Sequence, residues 1–360
     1  MMSSDGELER VIRTRLTRRS FLKGVGAAAA LGLGASVTAG CSASGSGGPK
    51  TLTVMMNGGQ ISDVATKYVI EPFEKKYNAK VEVVAALSAQ MVSKLRAEKS
   101  NPTVDVALLA EPSAIQLRNE GLLEKVDKNN VPNLKDLDER AISPDGWGPR
   151  TDSNPVVFGY NKDVFKLDPP QSWDDLWDPK YKGVIAPLSI ELMGGVLMLL
   201  LINKLRGGTY ENVDPGFEAL KQLQPNVRKW QHTVAESRAL LKENVLITFS
   251  NSLWQSEIDE GHNVGYVYPK EGAPGMPGVI EVVRGTKNKA LAEQFINEYI
   301  SPEAQLGLAK EMYLAVSNKK ARMPEDVKKR IPQNVIYFDA NRIAALQQGW
   351  AERWAREIKE

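Results

Sequence analysis

Residues 51–119 read TLTVMMNGGQ ISDVATKYVI EPFEKKYNAK VEVVAALSAQ MVSKLRAEKS NPTVDVALLA EPSAIQLRN, and this stretch decides the fold class. Thr51–Met56 is a short apolar and β-branched run, which predicts a strand. Val64, Tyr68, Ile70, Phe73 and Tyr77 then recur at helical spacing across 62–77. Lys80–Ala85 alternates as a second strand, and Ser88 is placed to N-cap a helix over 89–99. Val104–Leu109 predicts a third strand, and 113–119 a third helix. Strands separated by helical crossovers pair in parallel, so the chain is assigned to the α/β class.

Working outward, the pattern breaks at 142–155, where Pro144, Pro149 and Pro155 stand among Gly146 and Gly148. A second strand-helix series starts at Val156 and runs to a second Pro/Gly break at 269–278. Another strand near Val279–Val283 and helices near 288–299, 302–311 and 341–359 complete the chain. A domain inserted in a domain needs two crossings, whereas a tandem pair needs one. The breaks therefore predict two α/β lobes joined by a two-segment hinge. Residues 51–152 and 270–315 form lobe 1, and 153–269 with 316–360 form lobe 2. In the last helix Ile343, Leu346, Trp350, Trp354 and Ile358 share one face, which predicts core.

The remaining forty N-terminal residues and ten after them read differently. Residues 1–40 hold six cations and three acids; without them the chain has 40 cations and 41 acids, a net charge of −1. The +2 of the whole chain thus comes from its start, and no basic face remains for nucleic acid. Thr17-Arg18-Arg19-Ser20-Phe21-Leu22-Lys23 precedes an Ala/Gly-rich run to Gly40, the pattern of an export signal too short to span a bilayer. The paired arginines resemble a twin-arginine signal, which implies the twin-arginine translocase as a partner during export. Thr38-Ala39-Gly40-Cys41 resembles a lipobox, although an aliphatic residue is replaced by Thr38. Cys41 is the single cysteine and the candidate lipidation site, with 41–50 as a Ser/Gly-rich tether. One cysteine excludes a disulfide framework and Cys-x-x-Cys chemistry. With only His232 and His262, thirty residues apart, no histidine metal pair is expected, and no cofactor motif follows. No catalytic residue is assigned, and the chain is read as a non-enzyme.

Asn161-Lys-Asp-Val-Phe165 and Pro170-Gln-Ser-Trp-Asp-Asp-Leu-Trp-Asp-Pro-Lys-Tyr-Lys-Gly183 resemble the extracellular solute-binding proteins of ABC importers. The likeness is to the branch with polyamine-, γ-aminobutyrate-, opine- and iron-binding members. Asn101–Val106, Glu120–Asp127, Pro269–Ala273, Ser301–Gln305 and Trp350–Trp354 agree, so the resemblance spans essentially 51–360. It implies a two-lobed periplasmic-binding-protein-like fold of type II, a monomer outside the cytoplasmic membrane. It implies closure on a small solute, then delivery to an ABC permease and its ATPase. Ferric iron or thiamine as cargo, a sensor role, or an exported enzyme stay open beside it. Within the 170–183 run, Trp173, Asp174, Trp177 and Tyr181 are read as packing residues.

Ligands of open α/β sheets bind outside the carboxyl ends of the strands. That rule selects Asn57, Gly58, Gly59 and Gln60, then Ser88, Glu111, Asp152, Ser153, Glu191, Phe249, Asn251, Ser252 and Glu271. Gly58-Gly59 lets backbone N–H groups approach an anion. The resemblance places Glu191 on an acidic position used by polyamine binders. It also shows that aromatic and acidic positions of those relatives are Gly58, Gly59, Gln60, Ser250, Asn251 and Ser252 here. A diamine needs an acid at each end. The expected solute therefore has one amine and one carboxylate or other acceptor, with Asp152 replacing a lost acid.

Overall fold

The computed structural model describes residues 49–143, 145–331 and 334–358. Residues 1–40, read as an export signal, Cys41 and most of 41–50, read as a tether, lie outside the described residues.

The first lobe is built on a sheet with the path Ala79–Ala85, Lys50–Met56, Val106–Ala110, Pro277–Val283, Arg150–Ser153 and Ala315–Val316. Lys50–Met56 pairs in parallel with both of its neighbours. Pro277–Val283 runs antiparallel to Val106–Ala110 and to Arg150–Ser153. Helices cover both faces, so the strands are apolar on both sides. Val54, Met56, Ile280 and Val282 meet Val69, Phe73, Phe295, Ile296 and Leu308 on one face. Met55 and Val279 meet Met91, Leu95, Ala114 and Leu117 on the other.

The helix expected over 62–77 is a continuous right-handed run of Gln60–Ala65, a π-turn Thr66–Ile70 and Glu71–Tyr77. Pro72 lacks an N–H and its ring crowds the carbonyl four residues back, so the widened turn before it relieves the clash. Ser88 is the first helical residue of Ser88–Ala97, not its cap. Leu87 holds that place, and its N–H donates to Gln90 Oε1 at 3.1 Å. Arg150–Ser153, inside the break expected at 142–155, is a strand within the first sheet.

The second lobe has the four-stranded order Ile185–Ala186, Leu246–Ser250, Val156–Asn161, Val264–Val267. Its larger core gathers Phe158, Trp173, Leu199, Phe217, Trp230 and Trp354. The 170–183 run does pack: Trp173 and Tyr181 are buried, Trp173 Nε1 donates to the Gly272 carbonyl at 3.0 Å, and Tyr181 Oη to that of Asp168 at 2.6 Å. The last helix, Ala340–Glu357, buries Ile343, Trp350 and Trp354 as its pattern predicts, with Ile358 just beyond it.

Three passes connect the lobes. Asn154-Pro155 leads from Ser153 into Val156, and residues 268–276 return to Pro277. The third leaves Ala315–Val316, forms the helix Glu325–Arg330, and pairs Val335–Tyr337 with Ala273–Gly275. It then enters Ala340–Glu357, which also touches lobe 1: Gln116 Nε2 donates to the Ala344 carbonyl at 2.7 Å. The first two passes coincide with the two Pro/Gly breaks; the third carries Pro324 and Pro332 but no glycine.

Candidate functional site

The carboxyl ends of Val106–Ala110 and Arg150–Ser153 lie in one row, because the register pairs Gly278, at the amino end of the antiparallel Pro277–Val283, with both Ala110 and Asp152. Glu111 opens the helix Glu111–Asn119 straight after its strand. Beside this row is a cavity of about 430 Å³, within the range usual for small-molecule sites. Glu111, Arg150, Asp152 and Ser153 of lobe 1 form one wall, and residues 337–341 of the third pass form the other. That second wall is anchored on lobe 2, where Ile336, Phe338 and Ala340 pack on the larger core.

The lining carries four carboxylates, Glu111, Asp138, Asp152 and Asp339, against two guanidiniums, Arg140 and Arg150. Glu111 accepts from Arg150 Nε at 2.9 Å, and Arg150 also donates to the Arg140 carbonyl. Asp138 pairs with Arg140 at 3.0 Å. Asp339 is used as the N-cap of the last helix, accepting from Asn341 N at 2.8 Å. Asp152 differs: its carboxylate accepts only from the Thr151 hydroxyl, at 2.7 Å, and has no cation partner among the described residues. Burial pushes its pKa above the ordinary aspartate value, against the pull of that hydroxyl. Ser153 is buried, and its Oγ has no hydrogen-bond partner among the described residues.

Of the residues read from sequence, Glu111, Asp152 and Ser153 come together here. The others do not line this cavity. Gln60 Nε2 donates to the Glu311 carbonyl at 3.3 Å, while Gly59, with φ 77°, turns the strand into its helix. Ser252 joins Asn154 at 2.8 Å, and Asn251 Nδ2 reaches the Tyr313 carbonyl at 3.2 Å. Phe249 packs between the two cores of lobe 2. Glu191 is exposed and faces His232 Nδ1 at 3.0 Å. Glu271 accepts from Ser172 Oγ and, at 3.1 Å, from Trp173 N, so both oxygens hold the 170–173 turn. Arg140, Asp138, Tyr337, Phe338, Asp339 and Asn341 went unread. Only Asp339 carried a local signal, a capping residue before the last helix.

Glu257, Glu260 and His262 form the one cluster of metal-ligand type among the described residues, with ligand atoms within 4.8 Å of one another. Arg238 occupies it as a counter-ion, 3.0 Å from Glu257 and 3.5 Å from Glu260.

Two α/β lobes, threaded by three passes and meeting at a polar cavity, define a protein that holds a small ligand between domains. The chain belongs to the bacterial extracellular solute-binding protein family, whose model matches residues 68–332. It is similar to a γ-aminobutyric acid-binding protein of Pseudomonas aeruginosa, 26% identical over 79% of this chain and 82% of that protein. A spermidine/putrescine-binding periplasmic protein of Escherichia coli is 26% identical over 71% of this chain and 77% of its own. Among solved structures, an ABC transporter protein from Clostridium perfringens superposes with TM-score 0.70 at 25% identity, over 86% of this chain and all of that one. An ABC transporter substrate-binding protein from Bradyrhizobium japonicum gives 0.75 at 21% identity, again over 86% and 100%. The family is one of solute-binding proteins of transport, and no described helix is long and apolar enough to cross a membrane.

Proposed function

We propose that this chain is the solute-binding component of an ABC importer, and that its solute is a small molecule with one amine and one carboxylate or other acceptor. The observation that carries the reading is Asp152, a shielded carboxylate on the inter-lobe cavity without a cation partner among the described residues. An ammonium placed there supplies the missing charge and three donors. The neighbouring acids are already engaged, Glu111 and Asp138 by arginines and Asp339 by the helix it caps, which argues for one amine rather than two. The names of the γ-aminobutyrate- and polyamine-binding relatives support an amine-containing solute. Ser153, whose hydroxyl has no partner among the described residues, is assigned to the solute's second polar group.

The reading includes delivery to a membrane permease and its ATPase. It also includes export by the twin-arginine route and an acyl anchor on Cys41, both carried by sequence alone. An acyl mass on the mature N-terminus, with partition into detergent, is the expected result for the anchor.

Thermal shift with γ-aminobutyrate, alanine, ethylamine, putrescine and spermidine tests the solute class. A ligand at a hundred times its Kd stabilises by about 2.7 kcal/mol. Zwitterionic amines are expected to raise Tm in the native chain and to lose that effect in Asp152→Asn. Stabilisation by spermidine with none by the zwitterions rejects the reading.

A further inference from the structure

Tyr313 ends the helix Pro302–Met312 in the left-handed region, with φ 52°. Asn78 is the one other described non-glycine residue with positive φ. A bulky side chain is disfavoured there by the clash of its Cβ with the backbone, and persists where its surroundings hold it.

Those surroundings belong to the opposite lobe and to the third pass. Asn251 Nδ2 donates to the Tyr313 carbonyl at 3.2 Å, and the Tyr313 hydroxyl donates to Asp259 Oδ2 at 3.1 Å. Asn251 and Asp259 are the first and last residues of the lobe 2 helix Asn251–Asp259. Arg330 Nη1 donates to the same hydroxyl at 2.9 Å, and its guanidinium stands 5.2 Å from the ring centroid. A second layer braces the first. Gln255 Nε2 donates to Asp259 Oδ1 at 3.1 Å and Gln255 Oε1 accepts from Tyr266 Oη at 3.2 Å, while Tyr268 Oη donates to the Arg330 carbonyl at 2.8 Å. Asn251 and Tyr313 are buried, so water competes little for the bond between them. One residue at the end of a lobe 1 helix is thus gripped at its carbonyl, ring and hydroxyl.

We infer that Tyr313 is a positioning residue for solute capture: it ties lobe 1 to lobe 2 and sets the angle at which they stand. Strain in its backbone favours release, and the three bonds oppose it. This makes the pair of lobes a two-state element whose balance one side chain biases. Asn251, expected from sequence to touch solute, acts here through the tie. The inference rests on the two-lobed arrangement and is independent of the solute's amine, so either can fail alone.

The test measures inter-lobe distance without solute. Full-length chain carrying Cys41→Ser receives donor and acceptor fluorophores at Glu82→Cys in lobe 1 and Glu218→Cys in lobe 2, and single-molecule transfer gives the distance distribution. Tyr313→Phe, which removes the hydroxyl and keeps the ring, is expected to shift the distribution from that of the native residue. Asp259→Ala breaks the same tie at a side chain that is half exposed and is expected to shift it likewise. Arg228→Ala, which breaks a surface pair with Glu243 inside lobe 2, is the control and leaves it in place. A purely structural role for Tyr313 lowers Tm without moving the distance. Asp259→Ala and Tyr313→Phe distributions that superpose on the native one overturn the inference.

Discussion

Glu281 shows how a single buried carboxyl writes a pH dependence into the fold. It is fully buried, ion-paired with Arg118, and accepts from the Gly148 N–H at 3.1 Å. Burial outweighs both partners and pushes its pKa up to about 7, from an ordinary 4.5. The folded chain therefore keeps a proton that the unfolded chain has already released in that interval. Stability from this group is full below the ordinary value and falls as pH rises to about 7. Glu281→Gln is expected to flatten the Tm–pH profile between those limits, as followed by calorimetry. Asp152 carries the same sign with a different readout. Its raised pKa lets protons compete with an ammonium at higher pH than for an ordinary aspartate. Amine affinity, measured by calorimetric titration, should weaken on acidification, and Asp152→Asn should show weak binding at every pH. Asp152 was legible because a carboxylate at a hinge stands out. Its lack of a counter-ion was not, since that depends on where Arg140 and Arg150 point.

Elements pack by surfaces that spacing reveals and contacts that it does not. The stripe Ile343, Trp350, Trp354 recurs at helical intervals, and it is buried against Trp230 and Phe217. A parallel strand covered on both faces reads as an unbroken apolar run, and the buried end of Lys50–Met56, Val54-Met55-Met56, behaves so. The seat of Trp254 was invisible by comparison. Its ring lies against Gly159 of the neighbouring strand, where an added Cβ would come within 2.1 Å of it. Trp254 is fully buried and has no room to retreat. Gly159→Ala is expected to destabilise by about 1–3 kcal/mol in urea unfolding, the usual cost of overpacking. Glycine in a strand signals a close approach, but not which residue approaches.

Across the molecule, the last helix serves both lobes and one wall of the cavity stands just before it. Phe338 and Ala340 rest on lobe 2, while Gln116 of lobe 1 reaches Ala344. Ending the chain at Ile336 removes that wall and bares Trp230 and Phe217. The expected outcome is dye binding to exposed apolar surface and loss of any solute-induced Tm shift, with lobe 2 cleaved first in limited proteolysis. Local pattern alone determined the α/β class, the two lobes and the aromatic core face, because periodicity and turn residues act over a few neighbours. Tertiary structure alone decided that Glu271 braces a turn, that Asn251 holds Tyr313, and that residues 337–341 complete the cavity. Those roles depend on which partners arrive from about sixty or more residues away, and on which charges are left without one once the chain has closed around them.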